Sequence, residues 1–224
     1  PVRFTWTNSL LEEKHIYDTY CNLIMKEADN GMNQVLVNRP VLEEYIRRQY
    51  PGFKLISSTT KRITGLDGLL EELNKDYFLV VLDYDLNHNE EVLSAIGKQA
   101  DKVEILVNEI CYPGCPKRSE HYRQQSQMQL EYDIDAAFPC PNKTRERKFE
   151  ECKERPSFIS REQIREYADR GFVNFKIVGR GMPMDFVKES YLYYLVKDDS
   201  RAFIRNKMES TLNQFAQAMR KRKA

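Results

Sequence analysis

The chain has 224 residues, 41% of them hydrophobic and 31% charged, the make-up of a globular protein long enough for one sizeable core. Its 35 Lys and Arg almost balance 34 Asp and Glu, so it lacks the overall basic field that marks a nucleic-acid binder. No apolar run approaches the roughly 20 residues a helix needs to span a bilayer, and a membrane-inserted class is excluded from the reading.

Without an initiator Met, and with no charged region followed by an apolar stretch in PVRFTWTNSL, the chain reads as a fragment that carries no signal peptide. It opens inside a strand, Val2 to Thr7, whose residues alternate and favour β structure. Asn8 and Ser9 then offer an N-cap for a helix running to about Asp29, stopped by Asn30-Gly31. A strand is predicted over Gln34 to Val37, and Pro40 opens a helix through Gln49 that ends at Tyr50-Pro51-Gly52. Phe53 to Ser57 is a third strand, followed by the helical Leu66 to Leu73.

Tyr77 to Leu82 (YFLVVL) is an unbroken apolar run, the sign of a strand covered on both faces as in a parallel sheet. It ends in Asp83-Tyr84-Asp85, and a helix from about Asn89 to Lys98 leads to a fifth strand containing Val103, Ile105, Leu106 and Val107. Glu120 to Leu130 is predicted helical and 133–156 irregular. Ser160 begins a further helix, with Gln163 completing a capping box and Gly171 closing it. Val173 to Val178 is the sixth strand, and two helices follow, about Pro183 to Val196 and Ser200 to Arg220.

Six alternations of strand and helix with short connections demand a mostly parallel sheet with helices outside it. Neither GxGxxG nor GxxxxGK[ST] occurs, which disfavours an open nucleotide-binding sheet. The expected fold is α/β, a TIM-like (β/α) barrel in a single domain over 1–224. About six βα units are present, the ring is incomplete, N-terminal strands are missing, and 131–157 forms an irregular cysteine-bearing loop. Polar residues gather at the strands' C-terminal ends, at Asn8, Asn38, Ser57, Asp83, Asn108, Glu109 and Arg180, where barrel active sites are built.

The strand at Val103 runs into Cys111 and Cys115, with Pro113-Gly114 turning the backbone between them. Cys140 and Cys152 lie in the irregular loop. Five cysteines without a secretion signal point to a reducing compartment, the cytoplasm, where clustered thiols serve as ligands more often than as disulfides. The expected cofactor is a 4Fe-4S cluster on Cys111, Cys115, Cys140 and Cys152. Zinc, buried thiols that act as small hydrophobes, and a disulfide are the competing readings. The spacing is neither the paired CxxC of a zinc ribbon nor a three-cysteine radical loop. Cys21 stands apart as an ordinary core thiol.

Alternation along Phe175-Lys176-Ile177 turns Lys176 toward the barrel interior, where a cation needs a carboxylate or a bound anion. Glu109 and Asp83 are the candidate partners. Arg180, just past that strand, is placed to clamp a carboxylate or phosphate. Of the three histidines, His15 reads as surface, whereas His88 and His121 are candidates to face the site.

The stretch Pro156 to Arg180, with Phe175, Lys176, Ile177, Gly179 and Arg180 in its closing strand and YLYYLV in the helix that follows, resembles the late segment of the peptidase U32 family, whose hallmark strand reads FKIEGR. Val178 stands here where the family carries an acid. The resemblance implies a TIM-like barrel. It also implies one of two activities: iron-sulfur chemistry like that of members similar to oxygen-independent hydroxylation factors for ubiquinone precursors and RNA bases, or the collagenase-type peptidase activity for which the family is labelled. With no HExxH or GxSxG in the chain, the redox reading is the leading expectation. In it Asp83, Glu109, Lys176 and Arg180 act on a small aromatic or nucleobase substrate. Peptidase activity, or a non-catalytic barrel working through a protein partner, stands as the alternative.

Overall fold

The sequence folds into six short parallel strands, each followed by one or more helices. The structure is a computed structural model that describes residues 2–5, 18–131, 138–140, 147–179 and 181–223, with 129–131 and 221–223 described as helical backbone. The strands are β1 (Arg3–Thr5), β2 (Gln34–Val37), β3 (Lys54–Ser57), β4 (Leu79–Val81), β5 (Val103–Leu106) and β6 (Asn174–Lys176). They pair in the order β1-β2-β3-β4-β5-β6, every pair parallel. A doubly wound sheet reverses its strand order at a switch point. Here the order runs straight through, as in a barrel wall.

The two faces of the sheet bear this out. Val35, Val37, Leu55, Val80, Leu82, Val103, Ile105 and Val107 join the large core with helix residues such as Leu42, Ile46, Leu69, Leu73, Val92 and Leu93. The alternate positions Leu36, Ile56, Leu79, Val81 and Leu106 form a smaller cluster of strand residues alone. Period-two alternation thus sends one set outward to the helices and the other inward. The sheet also curls. Arg3 on β1 and Glu104 on β5 are four strand spacings apart, about 19 Å in a flat sheet. Their side chains nonetheless meet at 2.5 Å, which only a half-barrel permits.

The helices are α1 (Thr19–Ala28), α2 (Pro40–Gln49), α3 (Leu66–Leu73), α4 (Glu90–Ile96), α5 (Arg118–Glu131), α6 (Phe149–Lys153), α7 (Arg161–Asp169), α8 (Met184–Leu195) and α9 (Arg201–Lys223). Pro40 stands at the start of α2 as expected. The capping box of α7 is complete: the Gln163 N–H donates to the Ser160 hydroxyl at 3.2 Å, and the Ser160 N–H donates to the Gln163 side chain at 2.8 Å. Asp18 caps the described α1 by accepting from the Cys21 N–H at 2.7 Å. The predicted cap at Asn8 and Ser9 lies outside the described residues.

The segment 133–156, expected to be irregular, contains α6. This helix is only five residues long and is anchored by Phe149, which packs among Phe158, Phe186, Tyr193 and Tyr194 with centroids 5.4–6.2 Å away. Tertiary aromatic contacts therefore stabilise a helix too short to announce itself by periodicity. Among the described residues no helix is long and apolar enough to cross a membrane.

Candidate functional site

The strand exits at the carboxyl edge are joined by a buried ring of alternating charge. Asp83 leaves β4 and caps the next turn, accepting from the Asp85 N–H at 3.1 Å. Arg62, from the β3–α3 connection, donates to Asp83 and, at 2.9 Å, to Asp85. Arg118, the first residue of α5, donates to Asp85 at 3.0 Å and lies 3.6 Å from Asp83. Its guanidinium also covers the Tyr84 ring at 3.9 Å and donates to the Tyr112 carbonyl. Arg118 is only 1% exposed; two carboxylates and an aromatic face compensate the desolvation of its charge. Arg62 adopts a left-handed backbone, φ 59°, a conformation that costs of order 1 kcal/mol in a non-glycine residue and that two charge-assisted hydrogen bonds offset.

Burial would raise both acids. It prevails at Asp83, which sits above the usual carboxylate range. At Asp85, hydrogen bonds from Arg62, the Gly114 N–H and Arg118 overcome it and hold the carboxyl low. The Gly114 bond ties the β4 exit to the cysteine turn. Gly114 itself has φ 65°, the left-handed geometry for which glycine carries no Cβ penalty, so the tight Pro113-Gly114 turn is as predicted.

Glu109 leaves β5 at the same edge. Its carboxylate accepts from the Cys111 N–H at 3.0 Å. Burial pushes its pKa up against the pull of that bond, of the Ile110 N–H and of Arg118 and Lys176. Two thiols border it. Cys111 shares its surroundings with Tyr84 and Arg118, and burial raises its pKa. The Cys152 thiol, carried by α6, faces the Glu109 carbonyl at 3.7 Å and is pushed up to about 12, by burial first and then by the Glu109 charge. Tyr84 is buried beneath the Arg118 guanidinium. Its buried hydroxyl makes no regular hydrogen bond and faces Cys111 and Tyr122.

The other two cysteines are placed differently. Cys115 ends the turn, its carbonyl accepting from the Arg118 N–H at 3.2 Å. Cys140 follows Phe138, which stacks on His121 of α5 with centroids 4.5 Å apart. Four thiols have the chemistry to hold an iron-sulfur cluster. Among the described residues no three His, Cys, Asp or Glu side chains gather where a metal ion could sit.

Lys176 points into the barrel, as the alternation predicts. It lies 3.6 Å from Glu104, which also binds Arg3, and its charge also acts on Glu109. Glu104 faces inward on the neighbouring strand, opposite Asn174 and two residues before Leu106, which the parallel register sets beside Lys176. Arg180 lies outside the described residues, as does His15. His88 is not at the site: its ring nitrogens meet the Tyr167 hydroxyl at 3.1 Å and the Phe158 carbonyl at 2.8 Å, bracing the α7 layer. Asn108 is a joint between strands, donating to the Val178 carbonyl at 3.0 Å and accepting from the Val178 N–H at 2.6 Å.

Reading the sequence did not single out Arg62 or Arg118. The signal was present in Asp83-Tyr84-Asp85, since two acids within three residues at the mouth of an apolar strand require cations. Nothing local says which of 35 cations supplies them.

With this geometry in view, the chain is similar to an uncharacterized protease of Methanocaldococcus jannaschii, 27% identical over 184 residues that cover 79% of this chain and 54% of that protein. The chain spans about half the length of this curated relative. No protein-family model matches the chain, and no solved structure matches it.

Proposed function

We propose that the chain is a U32-type peptidase barrel that hydrolyses peptide bonds at the carboxyl edge of its strands, with Glu109 as the proton-transferring group. The observation that carries this reading is the position of Glu109: a carboxyl at the exit of β5, anchored by the Cys111 N–H, with Arg118 and Lys176 within electrostatic reach. Such a carboxyl is suited to general acid-base work. The protease name of the relative supports it, as does the resemblance of Pro156 to Arg180 to the U32 hallmark. This is the reading set second on sequence alone.

In the proposed reaction a water oxygen attacks the scissile carbonyl carbon while Glu109 takes its proton. The carbon–nitrogen bond then breaks, and Glu109 returns the proton to the leaving amine. Lys176, on the inner face of the adjacent strand, supplies positive charge near the developing oxyanion. Asp83 holds the scaffold, because both of its oxygens are already engaged. The test is cleavage of gelatin and of an unstructured peptide pool by the wild type and by Glu109→Gln. The reading requires cleavage that drops at least 100-fold in the variant; an inert wild type, or an equally active variant, overturns it.

A second reading is favoured by one observation, that Cys111 and Cys152 border the same Glu109. In it a 4Fe-4S cluster, or zinc, is held by Cys111, Cys115, Cys140 and Cys152, and serves redox chemistry on a small aromatic or nucleobase substrate. Purification under argon followed by iron, sulfide and zinc analysis decides it: a colourless protein without iron removes the redox reading.

A further inference from the structure

Among the described residues three cations are buried: Arg118, Arg155 and Lys188. Arg118 meets Asp83 and Asp85, and Lys188 meets Asp185 at 3.1 Å and Glu209 at 2.9 Å. Arg155 is the exception. It is 7% exposed, no carboxylate among the described residues pairs with it, and its buried Nε has no hydrogen-bond partner. Glu151 stands four residues earlier, at helical spacing, yet the two form no ion pair, and the buried Oε2 of Glu151 is likewise without a partner. The Arg155 guanidinium lies instead over an aromatic face, 3.8 Å from the centroid of the Tyr112 ring.

A cation–π contact stabilises such a charge but satisfies none of its N–H donors. A buried guanidinium in this state is costly unless an acceptor of opposite charge completes it. Its planar fork matches a carboxylate, which takes two parallel hydrogen bonds from it. The location is equally informative. Tyr112 follows Cys111, whose N–H anchors Glu109, and the Tyr112 carbonyl accepts from Arg118. Arg155 also lies three residues past Cys152, whose thiol faces the Glu109 carbonyl. Burial and the Glu109 charge raise the pKa of that thiol, and the Arg155 charge opposes them. Arg155 therefore borders the same strand exit as the proton-transferring group without belonging to the charged ring.

We propose that Arg155 is a substrate-anchoring residue that takes the carboxylate of an acidic peptide, either an Asp or Glu side chain or a free C-terminus. Naming a peptide as the ligand rests on the peptidase reading of Glu109; the carboxylate site itself is measured by binding. Arg155 would fix the substrate by its charge while Glu109 acts on the scissile bond.

Calorimetric titration of three alanine-based peptides into the full chain tests this. One is capped at both ends and carries a single Glu, the second replaces that Glu with Gln, and the third is the Gln peptide with its C-terminus left free. The wild type should bind at least one carboxylate peptide about tenfold more tightly than the doubly capped Gln peptide, and the one preferred identifies the source of the carboxylate. Arg155→Gln should abolish the preference, and Arg155→Lys, which keeps the charge but not the fork, should retain only part of it. Glu151→Gln should leave it intact. A wild type that binds all three peptides alike overturns the proposal, even where Arg155→Gln fails to fold. So does a preference that survives Arg155→Lys undiminished, or one lost equally in Glu151→Gln, which would make the two residues a structural pair. A binding preference without cleavage would remove the peptidase reading and leave the carboxylate site standing.

Discussion

Cys152 directs its thiol at the backbone carbonyl of Glu109 across 3.7 Å, which joins the short helix α6 to the exit of β5. The thiol is fully buried, and Phe149, one turn earlier, anchors the helix in its aromatic cluster. Native Cys152 should therefore resist alkylation, read by mass spectrometry of the modified peptides. Phe149→Ala removes the ring and leaves a cavity, at a cost of about 3–5 kcal/mol. Cys152 should then become alkylated under conditions where the wild type is not. Equal labelling of the two proteins would mean that α6 does not shield the thiol.

Arg118 supports the same edge from the other side. Replacing it with Met keeps the volume but leaves Asp83 and Asp85 sharing Arg62 alone. Removing one partner of a buried ion pair costs about 3–5 kcal/mol, and the remaining Arg62 places the expected loss at the low end, about 3 kcal/mol. Urea unfolding measures it. A loss below about 1 kcal/mol, the range of exposed pairs, would show that the ring contributes little to stability.

Much of this architecture can be read from residue types in order. The apolar β-formers of Gln34 to Val37 and the run at Val103 mark strands, Pro40 and the Ser160–Gln163 box mark the helix starts, and Gly114 marks the cysteine turn. These signals are local, and local signals survive translation into structure. The partnerships were not legible, because they span the sheet. Glu104 sits in the middle of an apolar strand and gives no hint that Arg3 will reach it, and Lys176 is closer in sequence to many other acids. Likewise α6 depends on Phe158, Phe186, Tyr193 and Tyr194, all remote from Phe149 in the chain or packed only after folding. The four cysteines show the limit most plainly. Their number and softness suggest a common ligand, but spacing alone does not say where Cys140 lies relative to Cys111.

Acid should loosen the protein at a second buried cluster. Glu72 on α3 accepts from Lys61 at 2.6 Å, Ser57 at 2.5 Å and Lys75 at 2.8 Å. Burial pulls its pKa upward, but these hydrogen bonds outweigh that and hold it at about 2, below the ordinary 4.5. A carboxyl depressed in the folded state stabilises above its unfolded pKa, and that stabilisation drains away as pH falls. The urea midpoint should therefore hold steady down to about pH 4.5 and decline toward pH 2. Glu72→Gln should lower the midpoint at neutral pH and flatten the decline. An unchanged slope in the variant would assign acid sensitivity to other carboxylates.

Lys176 and Arg3 share Glu104, and the distances separate their roles. Arg3 meets the carboxylate at 2.5 Å, whereas Lys176 stays 3.6 Å away. With Glu104 only 4% exposed, Arg3→Met leaves a buried acid with its more distant cation and should destabilise by about 3 kcal/mol. Lys176→Met leaves the shorter pair intact and should cost about 1 kcal/mol or less. The activity order should be the reverse. If Lys176 supplies charge to the reacting carbonyl, its loss should lower kcat with little change in KM, while Arg3→Met retains turnover at temperatures where it stays folded. Peptide cleavage and urea unfolding measured on the two variants side by side give the answer. A Lys176→Met protein that is fully active but unstable would make Lys176 part of the barrel filling and leave Glu109 without its electrostatic neighbour in the reaction.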